Sequence, residues 1–272
     1  MCERKGHQSA TSHCFVGANM MRSGLTRALA LIVALLATPA RAQDAARPPV
    51  GGVASPQDAM IFYAAHGGEE ACGANCTDWI AAEGAIEWDT FKRLFAFLDR
   101  FGQIKRPVVL NISGGGNLKT AMSLGRIIRD RKLDVSVGPT VVAKCASAAE
   151  ADCFALKRAG QTLDARIDTS AVECDLACVM VLAGGVHRTL PADARVIIGS
   201  VQINNPLVPN ISQDVKQGLH TYYDDQIGLY LAQMGVNPQI VDIMDRNAKA
   251  KRATQLSNSD WLRLGIVTGL AL

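Results

Sequence analysis

A short β-branched run that ends in three glycines places the strongest constraint on how this chain can fold. The run PVVLNIS at 107–113 has the composition of a buried strand, and GGGN follows it at 114–117. Small and apolar residues then recur at helical spacing, at Leu118, Ala121, Met122 and Gly125. We therefore expect the glycines to form the junction between a buried strand and a helix.

The same alternation of strand and helix patterns continues along the chain. Strands are predicted at 60–65, around Trp79, at 135–142 and at 195–203. Helices are predicted at 88–101, within 151–160, at 175–184 and at 211–234. The first helix has one apolar face, formed by Phe91, Leu94, Phe95, Leu98 and Phe101. For 272 residues, 49% of them hydrophobic, this pattern predicts an α/β fold with buried sheets and a sizeable core.

The N-terminal segment has the features of a targeting signal. Arginines precede the apolar run ALALIVALLA, and Ala-Arg-Ala at 40–42 matches a small-x-small cleavage site. We interpret 21–42 as a signal peptide for the periplasm or secretion and 43–57 as a linker, with the domain at 58–272. Residues 1–20 would be an extension ahead of the true translation start. An uncleaved leader, which would anchor the chain in a membrane, is the alternative.

Six cysteines follow the leader, and an even number in an exported protein indicates disulfide bonds. They are Cys72, Cys76, Cys145, Cys153, Cys174 and Cys178. The short CGANC segment at 72–76 could close on itself, and Cys145 or Cys153 could bond to Cys174. CGANC and CDLAC also have a spacing that zinc ligands use. We expect no metal and no cofactor, because an oxidising compartment favours disulfides and no histidine lies beside either pair.

The charge pattern argues against a nucleic-acid partner. A formal net charge of +3 is small for a chain of this length, and the lysines and arginines are scattered rather than gathered into one stripe. Most of these charges are expected to lie on solvated faces.

Four motifs occur in an order that resembles a known superfamily. They are SGGGN at 113–117, CDLACVMVLAGG at 174–185, LPADARVIIGS at 190–200, and the segment at 231–269 that begins LAQMGVNPQ. Over roughly 78–270 the chain is similar to the Clp protease proteolytic-subunit and crotonase superfamily, above all to exported bacterial Clp-like proteins with a CxSAC motif. The resemblance implies an α/β spiral of repeated ββα units with C-terminal helices. It also implies a homo-oligomer, with the helix at 211–234 as a candidate interface.

The resemblance further implies where an oxyanion would be stabilised. In this superfamily, backbone N–H groups of a glycine pair and of the residue after the nucleophile face the developing negative charge. The matching positions are Gly115, Gly116 and Ala177. The glycines would equally serve a tight turn that needs positive φ angles.

The catalytic side chains that the resemblance requires are missing. Leu176 stands at the position of the nucleophilic serine, Gly199 at that of the histidine, and the acidic residue falls near Ala253. A leucine has no proton to lose and no lone pair with which to attack. Losing the nucleophile and the base together removes the triad mechanism.

Two other residues could supply chemistry in their place. Asp175 would lie beside the oxyanion position, although an acidic residue there is also typical of a helix N-cap, and Ser200 directly follows the missing histidine. Ser147 imitates the nucleophile motif but precedes polar residues rather than an apolar helix. His187 and His220 are more typical of solvated or hydrogen-bonded histidines than of catalytic bases.

The sequence is compatible with three functions. The first, which it favours, is a degenerate pseudohydrolase that binds a peptide or protein partner in the ancestral groove. The second is an active serine-peptidase-like or crotonase-like enzyme that uses Asp175 or Ser200, and the third is a structural envelope protein. The fold alone does not separate them, because function resides in the site.

Overall fold

A six-stranded mixed sheet lies at the centre of the protein, whose computed structural model describes residues 58–101, 105–202 and 211–269. Its strands are β1 (Ile61–His66), β2 (Asp78–Ile86), β3 (Val108–Gly116), β4 (Val135–Val137), β5 (Thr140–Val142) and β6 (Leu163–Ile167). Their order across the sheet is β4-β3-β2-β1-β6-β5. The β2–β3, β3–β4 and β1–β6 pairs are parallel, whereas the β1–β2 and β5–β6 pairs are antiparallel.

A smaller sheet and seven α-helices complete the described part of the chain. The smaller sheet contains β7 (Glu173–Cys174), β8 (Arg195–Ile198) and β9 (Thr254–Leu256), in that order. The helices are α1 (Thr90–Phe101), α2 (Leu118–Asp130), α3 (Glu150–Arg158), α4 (Leu176–Ala183), α5 (Gln213–Gln233), α6 (Gln239–Ala250) and α7 (Asn258–Arg263). The predicted α/β fold with C-terminal helices is confirmed, as is the helix that follows the glycine run.

Both faces of the six-stranded sheet are buried. Phe62 and Ala64 of β1 belong to the main core, which also contains side chains of α1, α2 and α4. Tyr63 and Ala65 belong to a second, smaller core, against which Phe154 of α3 packs. Successive side chains of a strand point to opposite faces, so a strand covered on both sides needs an almost unbroken apolar sequence.

Helix α4 is the most buried helix of the described chain, since all eight of its residues are buried. It packs closely against α2 because glycines lie at the contact. A side chain at Gly125 of α2 would come within 2.8 Å of the Met180 carbonyl oxygen, and one at Gly184 would come within 2.2 Å of the Gly125 carbonyl oxygen. The motif CDLACVMVLAGG is therefore placed at the centre of the main core.

Two arginines bind the C-terminal ends of α4 and α5. Arg188, only 5% exposed, donates hydrogen bonds to the carbonyl oxygens of Gly185, Met234, Gly265 and Ile266. Arg129 donates to the carbonyl oxygens of Ala183 and Met234 at 2.9 and 3.0 Å. The last carbonyl groups of a helix have no partner within the helix, so these guanidinium groups satisfy oxygens that burial would otherwise leave unbonded.

The single strand predicted at 135–142 is wrong. Val135–Val137 and Thr140–Val142 are separate strands at opposite edges of the six-stranded sheet. The break falls at Gly138 and Pro139, where proline has no N–H group to donate to a neighbouring strand. The strand predicted at 195–203 is also shorter, because β8 ends at Ile198.

The predicted apolar face of α1 is largely confirmed, since Leu94 and Leu98 are buried and Phe91 and Phe101 pack against the main core. Phe95 is the exception, because it is 41% exposed, whereas Phe97, which the prediction left out, is 2% exposed. Arg93 shares the buried face, where it donates to the carbonyl oxygen of Met60 at 2.8 Å while pairing with Asp89. A polar residue thus occupies part of the buried stripe, which a count of apolar residues does not detect.

The predicted extension at 1–20, signal peptide at 21–42 and linker at 43–57 lie outside the described residues. Among the helices that are described, none combines the length and the hydrophobicity needed to cross a membrane.

Candidate functional site

The glycine run adopts a backbone that favours glycine at three successive positions. The φ angles of Gly114, Gly115 and Gly116 are 69°, 75° and 155°. Asn117 then caps helix α2, because its side-chain oxygen accepts a hydrogen bond from the Thr120 N–H group at 3.0 Å. The tight turn that the sequence allowed is therefore present, at the junction between β3 and α2.

This junction lies beside the start of helix α4. A Cβ atom added to Gly115 would be 3.4 Å from a carboxylate oxygen of Asp175. Asp175 is the N-cap of α4, and its other carboxylate oxygen accepts a hydrogen bond from the Cys178 N–H group at 2.9 Å. Leu176 and Ala177 follow in the first turn, with 7% and 3% of their surface exposed. The structure thus brings these predicted residues together, with Asp175 in a capping role and Leu176 packed in the main core.

A second group of predicted residues lines an open cleft of about 780 Å³. Gly199 and Ser200 follow β8 and form one wall, and Ala253 precedes β9. Lys216 and His220 contribute from α5, one helical turn apart. The remaining lining residues are Val201, Gln202, Ala248, Lys251 and Arg252. Leu176 and the glycines of the β3–α2 junction are not part of this lining.

A buried amide holds the two walls of the cleft together. Asn247, 2% exposed, donates through Nδ2 to the Ile198 carbonyl oxygen at 2.7 Å, and its Oδ1 accepts from the Thr254 hydroxyl at 2.8 Å. Ile198 directly precedes Gly199 and Thr254 directly follows Ala253. Asn247 therefore positions both chain segments that border the cleft. Sequence reasoning missed it, because a lone asparagine in a helix gives no signal of burial.

Three basic residues of the cleft were also missed, although the sequence analysis named the fourth, His220. Lys251 and Arg252 follow α6, in the segment NAKAKRAT, whose cluster of positive charges could have drawn attention to it. Lys216 offered no such signal, because it is an isolated lysine of a long helix that only the tertiary fold brings to the cleft.

The three disulfides correct the expected pairing. Cys72 bonds to Cys76 as the sequence suggested, but Cys145 bonds to Cys153 and Cys174 bonds to Cys178. The expected link from Cys145 or Cys153 to Cys174 is wrong, because each of these cysteines has a nearer partner within its own loop or helical turn. In both CxxxC segments the sulfurs are bonded to each other and do not form a zinc site.

The other candidate residues have separate environments. His187 is exposed and its Nδ1 lies 2.8 Å from an Asp134 carboxylate oxygen. Ser147 is exposed beyond the short 3₁₀ turn at Ala143–Cys145 and is not part of the cleft lining. Ser200 lies in the cleft, where its hydroxyl accepts a hydrogen bond from the Gln202 amide at 3.1 Å.

Comparison with known proteins gives similarities to solved structures. No family model and no curated protein matches the chain. A peptidase from Plasmodium falciparum is 6% identical, with a TM-score of 0.41 over 69% of this chain and 92% of that one. Two structures of the 1510-N membrane-bound stomatin-specific protease, one in complex with a substrate peptide, are each 13% identical. Their TM-scores are 0.39 and 0.40, over 70% of this chain and 77% and 73% of theirs. Similarities at this level carry no conclusion about activity.

Proposed function

We propose that this protein is an exported, catalytically degenerate member of the Clp and crotonase superfamily that binds a peptide or protein segment in the cleft between β8, α5 and α6. The cleft itself is the observation that carries the proposal. Gly199 and Ala253, at the positions matched to the histidine and the acid, both line it, and neither has a side chain that can transfer a proton. Its volume of about 780 Å³ lies in the range of ligand-binding sites.

The surroundings of Leu176 support a role without catalysis. The side chain is 7% exposed and belongs to the main core. A nucleophile must be open to its substrate, whereas this position contributes to packing. The peptide-binding part of the proposal therefore rests on the cleft and not on the start of α4.

Export and assembly are further parts of the proposal. Three disulfides within the described residues support an oxidising compartment such as the periplasm or the cell exterior. Val215, Tyr222 and Leu229 leave 52–60% of their surface exposed on α5, which supports this helix as a contact between subunits of a homo-oligomer.

Labelling with a fluorophosphonate probe tests the absence of catalysis. The purified mature protein is expected to remain unlabelled, because among the described residues no serine hydroxyl is hydrogen-bonded to a histidine, as the triad requires. Covalent labelling of any serine, located by peptide mass spectrometry, would overturn this part of the proposal.

An array of immobilised peptides of varied sequence tests binding in the cleft. We expect the protein to bind a subset of the peptides without cleaving them. Gly199→Trp should abolish this binding, because the space around Gly199 is open and the indole would fill the cleft. Gly218→Trp is the matched control, since Gly218 is equally open but does not line the cleft. Equal binding by the two variants would show that peptides bind elsewhere.

An active serine hydrolase is the second candidate, favoured by the presence of Ser200 and His220 in the same cleft. The fluorophosphonate assay distinguishes it from the first. If this candidate is correct, the wild-type protein is labelled and Ser200→Ala is not, whereas Ser147→Ala remains labelled.

A further inference from the structure

The cleft has a one-sided charge. Four of its described lining side chains are basic, namely Lys216, His220, Lys251 and Arg252, and no aspartate or glutamate is among the lining residues that the structure describes. Over the whole chain, by contrast, 28 lysines and arginines are nearly balanced by 25 acidic residues. Charges of one sign that surround a concave surface concentrate the electrostatic potential there, so the cleft attracts anions.

Three of these cations have no ion-pair partner among the described residues, whereas His220 interacts with the charge of Asp224. Some basic side chains elsewhere do pair with carboxylates, as Lys157 does with Glu83 at 2.7 Å and Arg93 does with Asp89. Within the described residues, no ion pair involves Lys216, Lys251 or Arg252. Their charges are therefore free to interact with a ligand.

The backbone at Lys251 adds an independent observation. Lys251 is the C-cap of α6 and has a left-handed conformation, with φ 51° and ψ 44°. Glycine is the usual residue in this position, because a side chain strains the left-handed backbone. The negative end of the α6 dipole favours a lysine there. The α6 dipole does not explain Lys216, because this lysine lines the same cleft from a different helix, α5.

We infer that the cleft binds an acidic peptide segment, whose carboxylates contact Lys216, Lys251 and Arg252. This inference rests on the proposed peptide-binding function and adds the chemical class of the ligand. A volume of about 780 Å³ is far larger than a single inorganic anion needs and accommodates a few residues of peptide.

Fluorescence anisotropy with two labelled peptides tests the inference. One peptide is rich in glutamate, and in the other glutamine replaces every glutamate. We expect the acidic peptide to bind about tenfold more tightly at low ionic strength, and the difference to shrink as salt is added. Lys251→Gln with Arg252→Gln should remove the preference, whereas Lys92→Gln with Lys105→Gln changes the net charge equally outside the cleft and should preserve it.

Lys251→Gly separates binding from folding. This variant relieves the left-handed backbone strain, so its melting temperature should not fall, while its affinity for the acidic peptide should. Equal affinity for the two peptides would overturn the inference and leave the proposed function in place. Preference for the acidic peptide that survives the cleft variants would place the site elsewhere. If neither peptide bound, the inference would fail, and the peptide array would then decide whether the proposed function fails with it.

Discussion

Leu176 stabilises the fold from the position at which the resemblance expects a nucleophile. Its side chain is 7% exposed within the main core, and Asp175 before it caps α4. The segment CDLAC therefore retains the start of a helix and the bond from Cys174 to Cys178, while its third residue serves packing. A serine placed there would exchange an apolar side chain for a hydroxyl group without an assigned partner.

Placing serine at 176 and histidine at 199, the residue types that the resemblance expects there, should therefore destabilise the protein without creating activity. Leu176→Ser is expected to cost about 2–4 kcal/mol of the free energy of unfolding, through lost burial and a buried hydroxyl. Leu176→Ser with Gly199→His should remain unlabelled by fluorophosphonate, since Leu176 does not line the cleft that contains Gly199. Leu262→Ser, at a residue that is 49% exposed, is the control and should cost well under half as much. Labelling of the double variant would show that the two positions still form one site.

Asn247 controls the shape of the cleft through two hydrogen bonds. Asn247→Leu should lower the free energy of unfolding by about 2–3 kcal/mol, because the buried Ile198 carbonyl and Thr254 hydroxyl lose their partner. It should also weaken binding of the acidic peptide. Asn258→Ala removes a more exposed bond to the Ala192 carbonyl and should cost about 1 kcal/mol or less. Denaturant unfolding measures both, and equal losses would contradict the positioning role of Asn247.

The sequence indicated some residues of the candidate site and not others. Leu176 could be singled out because neighbouring motifs place it in the pattern of the resemblance, and the structure adds that its side chain is buried. Asn247 and Lys216 were not visible, because Asn247 bonds to Ile198, which is 49 residues away, and Lys216 lines a cleft formed by separate elements. A single residue type carries little information about such contacts.

At the scale of secondary structure, Arg188 links the ends of helices that are distant in sequence. It donates to four carbonyl oxygens, and burial together with the nearby charge of Arg129 lowers its pKa. Arg188→Met should cost at least about 3 kcal/mol of the free energy of unfolding, because several buried carbonyl groups lose their donor. Arg195→Met is the matched control, since Arg195 forms an exposed pair with Glu173 that should be worth about 1 kcal/mol or less. Similar midpoints of chemical unfolding for the two variants would contradict this role.

Helices α5 and α6 also form an acidic groove, separate from the basic cleft. Asp224 and Asp225 of α5 face Asp242 and Asp245 of α6 there. The pKa of Asp224 is raised to about 6, first by burial and then by the charge of Asp245 and a hydrogen bond with it. The nearby His220 lowers the pKa of Asp224. Asp224 therefore changes its charge near neutral pH.

This pKa gives the contact between α5 and α6 a defined pH dependence. The native Asp224 holds its proton to about pH 6, whereas the usual value is 3.8. The native state therefore binds more protons between these values, and stability falls as pH rises through this window. Because the group is largely solvated, we expect a loss on the order of 1 kcal/mol. Asp224→Asn should remove that part of the slope in unfolding measurements from pH 4 to pH 7, with Asp214→Asn, at an exposed residue of α5, as the control. Parallel pH curves for wild type and Asp224→Asn would contradict the raised pKa.

The helices and strands themselves were predictable to differing degrees. The buried strand, the glycine junction and the helix after it follow from local patterns and were correct. The break at Gly138 and Pro139 was also readable in the sequence but was overlooked. Counting apolar residues found most of the buried face of α1 but not Arg93, whose place there depends on a hydrogen bond to the carbonyl oxygen of Met60, just before β1.

At the scale of the whole molecule, the order of the strands could not be predicted from the sequence. β1 lies between β2 and β6, so it pairs with a strand about 100 residues further along the chain. Such non-local pairing depends on which buried faces meet, and periodicity describes only one segment at a time. The three described disulfides, by contrast, are local, because they join cysteines that are four or eight residues apart. Within the described residues, long-range order therefore rests on the two hydrophobic cores rather than on disulfides.

The three disulfides should differ in their resistance to reduction. Cys174 and Cys178 are 0% and 1% exposed within the main core, whereas the other four cysteines are only partly buried. Treating the native protein with dithiothreitol and then iodoacetamide should alkylate Cys72, Cys76, Cys145 and Cys153, because attack on a disulfide requires access to sulfur. Cys174 and Cys178 should react only after unfolding in guanidinium chloride, which serves as the control.

The protein should stay folded when the first two bonds are reduced, since each short loop contributes only about 2–3 kcal/mol. Peptide mass spectrometry measures the labelling, and alkylation of Cys174 and Cys178 at the rate of the others in the native protein would show that α4 opens to solvent.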